Sequence, residues 1–128
     1  MVDDDDDAAD DVRAALASDP VALAVRRRVA DVVLGWDGVE ERVTRTQVAY
    51  RRRRGFAWVW APRRHLGRTT GAHVVVSFAL GRVELSDRVK EVAHPSTHHW
   101  IHHVELQDAS DVDAQLTSWL REAWDRAG

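Results

Sequence analysis

The apolar residues of this chain change their spacing twice. Ala22, Val25, Val29, Val32, Val33 and Trp36 recur every three or four positions, residues from about Val43 to Leu106 recur every second position, and Val112, Leu116, Trp119, Leu120 and Ala123 return to the first spacing. A period near 3.6 lays an apolar stripe along a helix, whereas a period of two lays one along a single face of a strand. The order is therefore helix, strands, helix. The connections between the strands are too short to carry parallel crossovers. The pattern predicts an α+β domain: an antiparallel sheet of about five strands, with N-terminal helices and a C-terminal helix packed on one face.

Local signals place the elements. A short helix is expected over Asp11–Ala17, with Val12, Ala15 and Leu16 on one face. A second begins at Pro20 behind an Asp19 N-cap and ends between Gly35 and Gly38. Thr44–Arg51 reads as a strand with Thr46, Val48 and Tyr50 on one side, Arg53-Arg54-Gly55 as a hairpin turn, and Phe56–Trp60 as the returning strand. Phe56, Trp58 and Trp60 share a parity and are expected as an aromatic core stripe beneath a helix. Ala61-Pro62 ends that strand, and a loop over 63–72 leads to a strand His73–Leu80 with Val74, Val76, Phe78 and Leu80 facing one way. A fourth strand is expected around Val89–Val92, closed by Pro95, and a fifth over Thr97–Leu106. Ser110 with Asp113 three positions on reads as a capping box for the last helix.

Charge divides the chain unevenly. Residues 1–11 hold seven acids and no base, so a net charge of -3 over 128 residues conceals +4 on the remainder. Residues 1–9 are expected to be a disordered acidic tail and 10–128 a single domain. A tail of this kind solvates, or folds back on a basic body to compete with an anionic partner. The chain has no cysteine, which excludes disulfides, thiolate metal sites and a cysteine nucleophile. No apolar run is long enough for a membrane helix and no secretory signal is visible, so the cytoplasm is the expected location.

Two stretches could carry chemistry. His98, His99, His102 and His103, with His94 nearby, suggest metal binding or a histidine-based enzyme. In a strand, however, His98 and His102 share a face but stand roughly 13 Å apart, too far to share one ion, and His99 and His103 lie on the opposite face. Should Val104 face the core, His102 is a semi-buried histidine with a hydrogen-bond partner. The second stretch is basic and aromatic: Arg52, Arg54, Trp58, Trp60, Arg63, Arg64, His65 and Arg68. Arginines interleaved with stacking rings suit an anionic ligand or single-stranded nucleic acid. The hairpin turn and the loop after Pro62 nevertheless lie at opposite ends of one strand, so a single ligand must be long to touch both. No phosphate loop, dinucleotide fingerprint, nucleophile elbow or H-E-x-x-H motif is present. Glu40-Glu41 reads as a helix exit.

The segment from Val43 through the arginine run to Val59, then Thr97-His98-His99, Val104-Glu105-Leu106, and Asp111 to Trp124 with its Ala123-Trp124 end, resembles the bacterial domain of unknown function family 5655. The resemblance covers about residues 40–126, with tyrosine usual where Trp124 stands. It implies a compact α+β module and brings no reaction, cofactor or catalytic residue. The family also occurs in proteins labelled as predicted transport proteins, a label that nothing membrane-spanning in this sequence supports.

The sequence thus points to a small binding or accessory module without catalysis of its own and without a cofactor. Its basic-aromatic surface would take an anionic ligand, nucleic acid or another protein. Two alternatives stand beside this reading: an enzyme or metal protein using the histidine run, and a homodimerising module.

Overall fold

A computed structural model describes residues 19–44, 47–61 and 74–128. The expected acidic tail, the helix over Asp11–Ala17, the loop over 63–72 and His73 lie outside the described residues, as do the candidate site residues Arg63, Arg64, His65 and Arg68. The elements run α1 (Pro20–Val33), β1 (Glu40–Val43), β2 (Val48–Arg51), β3 (Gly55–Trp60), β4 (Val74–Leu80), β5 (Val89–Ser96), β6 (His99–Leu106), a 3-10 turn (Ala109–Asp111) and α2 (Ala114–Arg126). The strands form one six-stranded sheet in the order β1-β2-β3-β4-β6-β5, with every neighbouring pair antiparallel.

Both helices pack on the same face of this sheet. Ala22, Val25, Val29 and Val33 of α1 and Leu116, Trp119, Leu120 and Ala123 of α2 join one core with Val48, Tyr50, Ala57, Val59, Val76, Phe78, Val104 and Leu106. The helical spacing seen in the sequence is what places these side chains on single stripes. Asp19 caps α1 by accepting from the Val21 and Ala22 N–H groups at 2.9 and 3.3 Å. After α1, Gly38 turns the chain at φ +73°, a conformation that costs a side chain-bearing residue far more than glycine. β4 is buried along its whole length. A strand enclosed on both faces reads as an unbroken apolar run, which Val-Val-Val-Ser-Phe-Ala-Leu nearly is.

Several expectations are corrected. The strand expected over Thr44–Arg51 shortens to β2, Val48–Arg51, because the Thr44 N–H and hydroxyl both donate to the Gln47 carbonyl and reverse the chain after a further strand, β1. The sheet accordingly has six strands rather than five. Glu40 and Glu41 belong to β1, not to a helix exit, and Glu41 accepts from the Tyr50 hydroxyl at 2.9 Å. Alternation ran straight through the reversal, so periodicity could not locate it. Pro95 does not end a strand but lies within β5. That strand is at the sheet edge and its pairing shifts between Ala93 and Ser96, so the missing N–H breaks no ladder bond. The last strand starts at His99, with Thr97 and His98 in the β5–β6 turn.

The start of the last helix moves as well. Ser110 is not its cap. Asp108 and Asp111 form the reciprocal box around the 3-10 turn, and Asp113 caps α2 by accepting from the Leu116 N–H at 3.0 Å. Three acids at competing offsets allowed more than one register. Arg88 decides it by clamping both Asp113 carboxylate oxygens, at 2.9 and 3.0 Å, and the Asp111 carbonyl at 2.8 Å. Partial burial would raise the Asp113 pKa, but the Leu116 N–H and Arg88 outweigh it and hold this carboxyl below its usual value.

Candidate functional site

Strand pairing lays out the face of the sheet that neither described helix covers. One row reads across five strands and onto the sixth: Arg42 opposite Ala49, Ala49 opposite Trp58, Trp58 opposite Ser77, Ser77 opposite His103, and His103 opposite Glu91. In the next row Trp60 lies opposite Val75 and Val75 opposite Glu105. Trp58 and Trp60 are thus flanked by the small residues Ala49, Ser77 and Val75, and the unequal heights open a shallow recess of about 460 Å³. Gln47, Trp58, Trp60, Ser77, Ile101 and His103 line it.

The two tryptophans were expected in the core with Phe56, and a bulge overturns that. Tyr50 pairs with Ala57 while Arg51 pairs with Gly55, which leaves Phe56 as the extra residue. Phe56 and Ala57 are consecutive and both buried in the helix-side core. Beyond the bulge the parity is inverted, so Val59 faces the helices and Trp58 and Trp60 face away, half-buried. Gly55 admits this arrangement: a Cβ there would stand 2.9 Å from Cζ2 of the Trp58 ring.

The floor of the recess is a polar chain. The Trp60 indole N–H donates to Ser77 Oγ at 2.9 Å, and Ser77 Oγ lies 2.6 Å from His103 Nδ1. The Trp60 and His103 rings meet edge to face at 5.8 Å. His103 Nε2 has no partner among the described residues and is available to a ligand, as is the Gln47 amide. Neither Gln47 nor Ser77 was singled out from the sequence. The signal that could have found Ser77 is a serine in an otherwise apolar strand, beside the strand of a tryptophan with a donor to satisfy.

The histidine run is dispersed. His102 is fully buried in the core, its ring stacked on Phe78 at 5.3 Å. Its Nε2 accepts from the Glu84 N–H at 2.8 Å, which makes Nδ1 the donor to the Trp100 carbonyl at 3.0 Å. Burial holds its pKa below the usual imidazole value. His94 stacks on Trp100 at 4.3 Å, outside the core. His98 is in the β5–β6 turn, and its carbonyl accepts from Arg126 at 2.7 Å. His99 sits beside Arg54 and Arg126, and partial burial together with these two cations lowers its pKa. Among the described residues no three of the histidines and carboxylates converge in a way that could hold a metal ion.

The arginines of the β2–β3 turn point elsewhere than the recess. Arg52 donates to the Trp124 carbonyl at 3.3 Å, the Arg53 N–H to the Ala127 carbonyl at 3.1 Å, and Arg54 to the Arg126 carbonyl at 2.6 Å. These carbonyls stand at the C-terminal end of α2, that of Trp124 shared with the Ala127 N–H at 3.1 Å, so the hairpin caps that helix. Arg52 and Arg54 thereby reach toward the helix side, whereas Trp58 and Trp60 lie on the face that neither described helix covers. Gly55, under the Trp58 ring, is the link between the two surfaces.

A family model described as Domain of unknown function (DUF5655) matches residues 11–127. No curated protein and no solved structure matches the chain. Among the described residues, no helix is long and apolar enough to cross a membrane.

Proposed function

This chain belongs to the DUF5655 family of domains of unknown function, and from that premise we propose that it is a cytoplasmic binding module whose working surface is the sheet face that neither described helix covers. The observation that carries the reading is the pair of half-buried tryptophans beside a recess of about 460 Å³. Ligand sites of this kind combine ring-lined walls with a few convergent polar groups. Trp58 and Trp60 supply the walls, while Gln47 and His103 Nε2 offer hydrogen bonds. A planar, ring-bearing ligand fits that surface. Arg42 lies in the same row as Trp58, which suits an anionic group on the ligand.

The Ser77–His103 contact favours a second reading, a hydrolytic site. Geometry weighs against it. Ser77 is only 2% exposed and its oxygen already accepts from Trp60, so an attacking position for this hydroxyl is closed. In the binding reading the same contact fixes the rings that line the recess.

The test is a titration of the 15N-labelled chain with planar heteroaromatic compounds, read on its indole N–H signals. Saturable shifts confined to the Trp58 and Trp60 indoles, lost in Trp58→Ala, are the expected result. Shifts at other indoles alone, or none with any compound, would remove the reading.

A further inference from the structure

The described ion pairs join Arg26 to Glu41, Arg82 to Glu84 and Glu122, and Arg88 to Asp113. None involves the arginines at the end of the molecule where the β2–β3 turn meets α2. There Arg51, Arg53, Arg54, Arg121 and Arg126 gather around the half-buried Arg52, and among the described residues none has a carboxylate partner.

Most of these guanidinium groups are nevertheless held in place. Arg54 and Arg126 are fixed by the carbonyl bonds of Arg126 and His98, and Arg51 bonds to the Arg53 carbonyl at 3.2 Å. Arg121 lies over the Trp124 ring at 4.2 Å and the Trp36 ring at 5.3 Å. A carbonyl or a ring orients a guanidinium without neutralising it, so each retains spare donors toward solvent. The nearby acids are fewer. Glu40 lies opposite Arg51, Asp37 offers its carbonyl to the Trp124 indole, and Asp125 belongs to the same helical turn as Arg121 and Arg126. The C-terminus of α2 contributes a partial negative charge of roughly half a unit. The rim is left strongly positive.

This rim adjoins the recess. Arg51 sits opposite Gly55, and the Trp58 ring lies over Gly55. A cationic border in which Arg51, Arg54 and Arg126 are held by carbonyls, joined to the stacking rings through Gly55, matches a chain of phosphates that carries bases. Resting on the recess as the ring site, we infer that the partner is single-stranded nucleic acid: one or two bases stack on Trp58 and Trp60, and the adjoining backbone lies along Arg51, Arg53, Arg54 and Arg126. Stacking on a sheet face with a basic border is sequence-tolerant, because every base presents a ring.

The test uses the full chain and a fluorescein-labelled oligothymidylate of about ten nucleotides, within the usual range of single-strand sites, followed by anisotropy across salt concentrations. Affinity is expected to fall with log salt at a slope of about -0.7 for each phosphate contacted. Arg53→Glu alters a side chain that bonds nothing among the described residues, so its fold survives, and the slope should flatten by roughly one contact. Trp58→Ala should weaken binding about tenfold, the effect of one lost base stack, while leaving the slope unchanged. No binding at low salt overturns the inference, and the indole titration above then judges the recess on its own. Equal competition by heparin with no effect of Trp58→Ala overturns it too, because the rim is then a general anion surface. Capture by anionic phospholipid vesicles in place of the oligonucleotide does the same.

Discussion

The guanidinium carbon of Arg52 lies 3.9 Å from the centroid of the Trp124 ring, and the same guanidinium donates to the Trp124 carbonyl at 3.3 Å. One side chain therefore covers the ring and caps the end of the helix that carries it. Trp124 in turn donates its indole N–H to the Asp37 carbonyl at 2.9 Å and packs against Trp36 at 6.1 Å. The contact joins the hairpin, α2 and the segment after α1.

Arg52→Ala should cost about 1–3 kcal/mol in urea unfolding, the sum of a partly desolvated cation–π contact and a charge-assisted hydrogen bond to the carbonyl at the helix end. Arg52→Lys should recover less than half, since a point charge cannot cover the ring and reach the carbonyl together. A double-mutant cycle with Trp124→Leu should show coupling of at least 0.5 kcal/mol or so. Additive losses would mean that the two residues act separately.

His102 makes stability depend on acid. Its folded pKa is depressed, chiefly by burial, so between the unfolded value near 6.5 and the lower folded value the unfolded chain binds the extra proton. Stability is full above about pH 6.5 and declines as pH falls through that window, by at most about 1.4 kcal/mol per pH unit. His99 adds a smaller effect of the same sign, screened by its exposure. Asp113 acts later: its depressed pKa yields stability that is lost only below about pH 4. His102→Gln should be less stable at pH 7.5 and show a flatter profile from pH 6.5 to 5. An unchanged slope in chemical denaturation would assign the acid sensitivity to another group.

Gly55→Ala should disturb the recess more than the fold. Its Cβ would meet the Trp58 ring at 2.9 Å, and the ring must swing away. Near-UV circular dichroism should change while the helix signal at 222 nm holds within about a tenth, since substitutions outside core and caps are usually mild. Retention of the wild-type aromatic spectrum would show that Trp58 does not depend on a bare backbone at position 55.

Asp113→Ala removes the N-cap of α2 and releases Arg88. A loss of roughly 1–2 kcal/mol is expected, the range of a lost cap with a small ion-pair contribution. Asp111→Asn should cost less, because Arg88 holds the Asp111 carbonyl rather than its carboxylate. Thermal melting of the two variants side by side checks the order; equal losses would place the helix start at the earlier box.

Zinc should leave the melting temperature of untagged protein unchanged, and so should a chelator. A histidine cluster that held an ion would raise it by mass action. A rise on adding zinc that disappears in His103→Ala would restore the metal reading.

The helices and the parity of β4 were legible because periodic burial writes itself into composition: Ala22, Val25 and Val29, or Val74, Val76 and Phe78, need no partner to reveal their face. The scattering of His99 to His103 followed from strand geometry, whereas His98, expected on one face with His102, lies in the β5–β6 turn. What the sequence concealed was local irregularity. The reversal at Thr44–Gln47 and the bulge at Phe56 each shift the chain by features that leave the two-residue alternation intact, and the bulge alone moves Trp58 and Trp60 from the core to the open face. The Ser77–His103 contact was hidden for a different reason, since 26 positions separate its members. The role of the arginine run as a helix cap was equally invisible, because it depends on a helix end far away in sequence.

The ties from the hairpin to the final turn of α2 bridge 72 positions. Closing a loop of that length costs chain entropy that local turns do not have to meet. Arg52 and Arg54 therefore owe their orientation to residues 124 and 126, so fraying of the helix end would set both guanidiniums loose together.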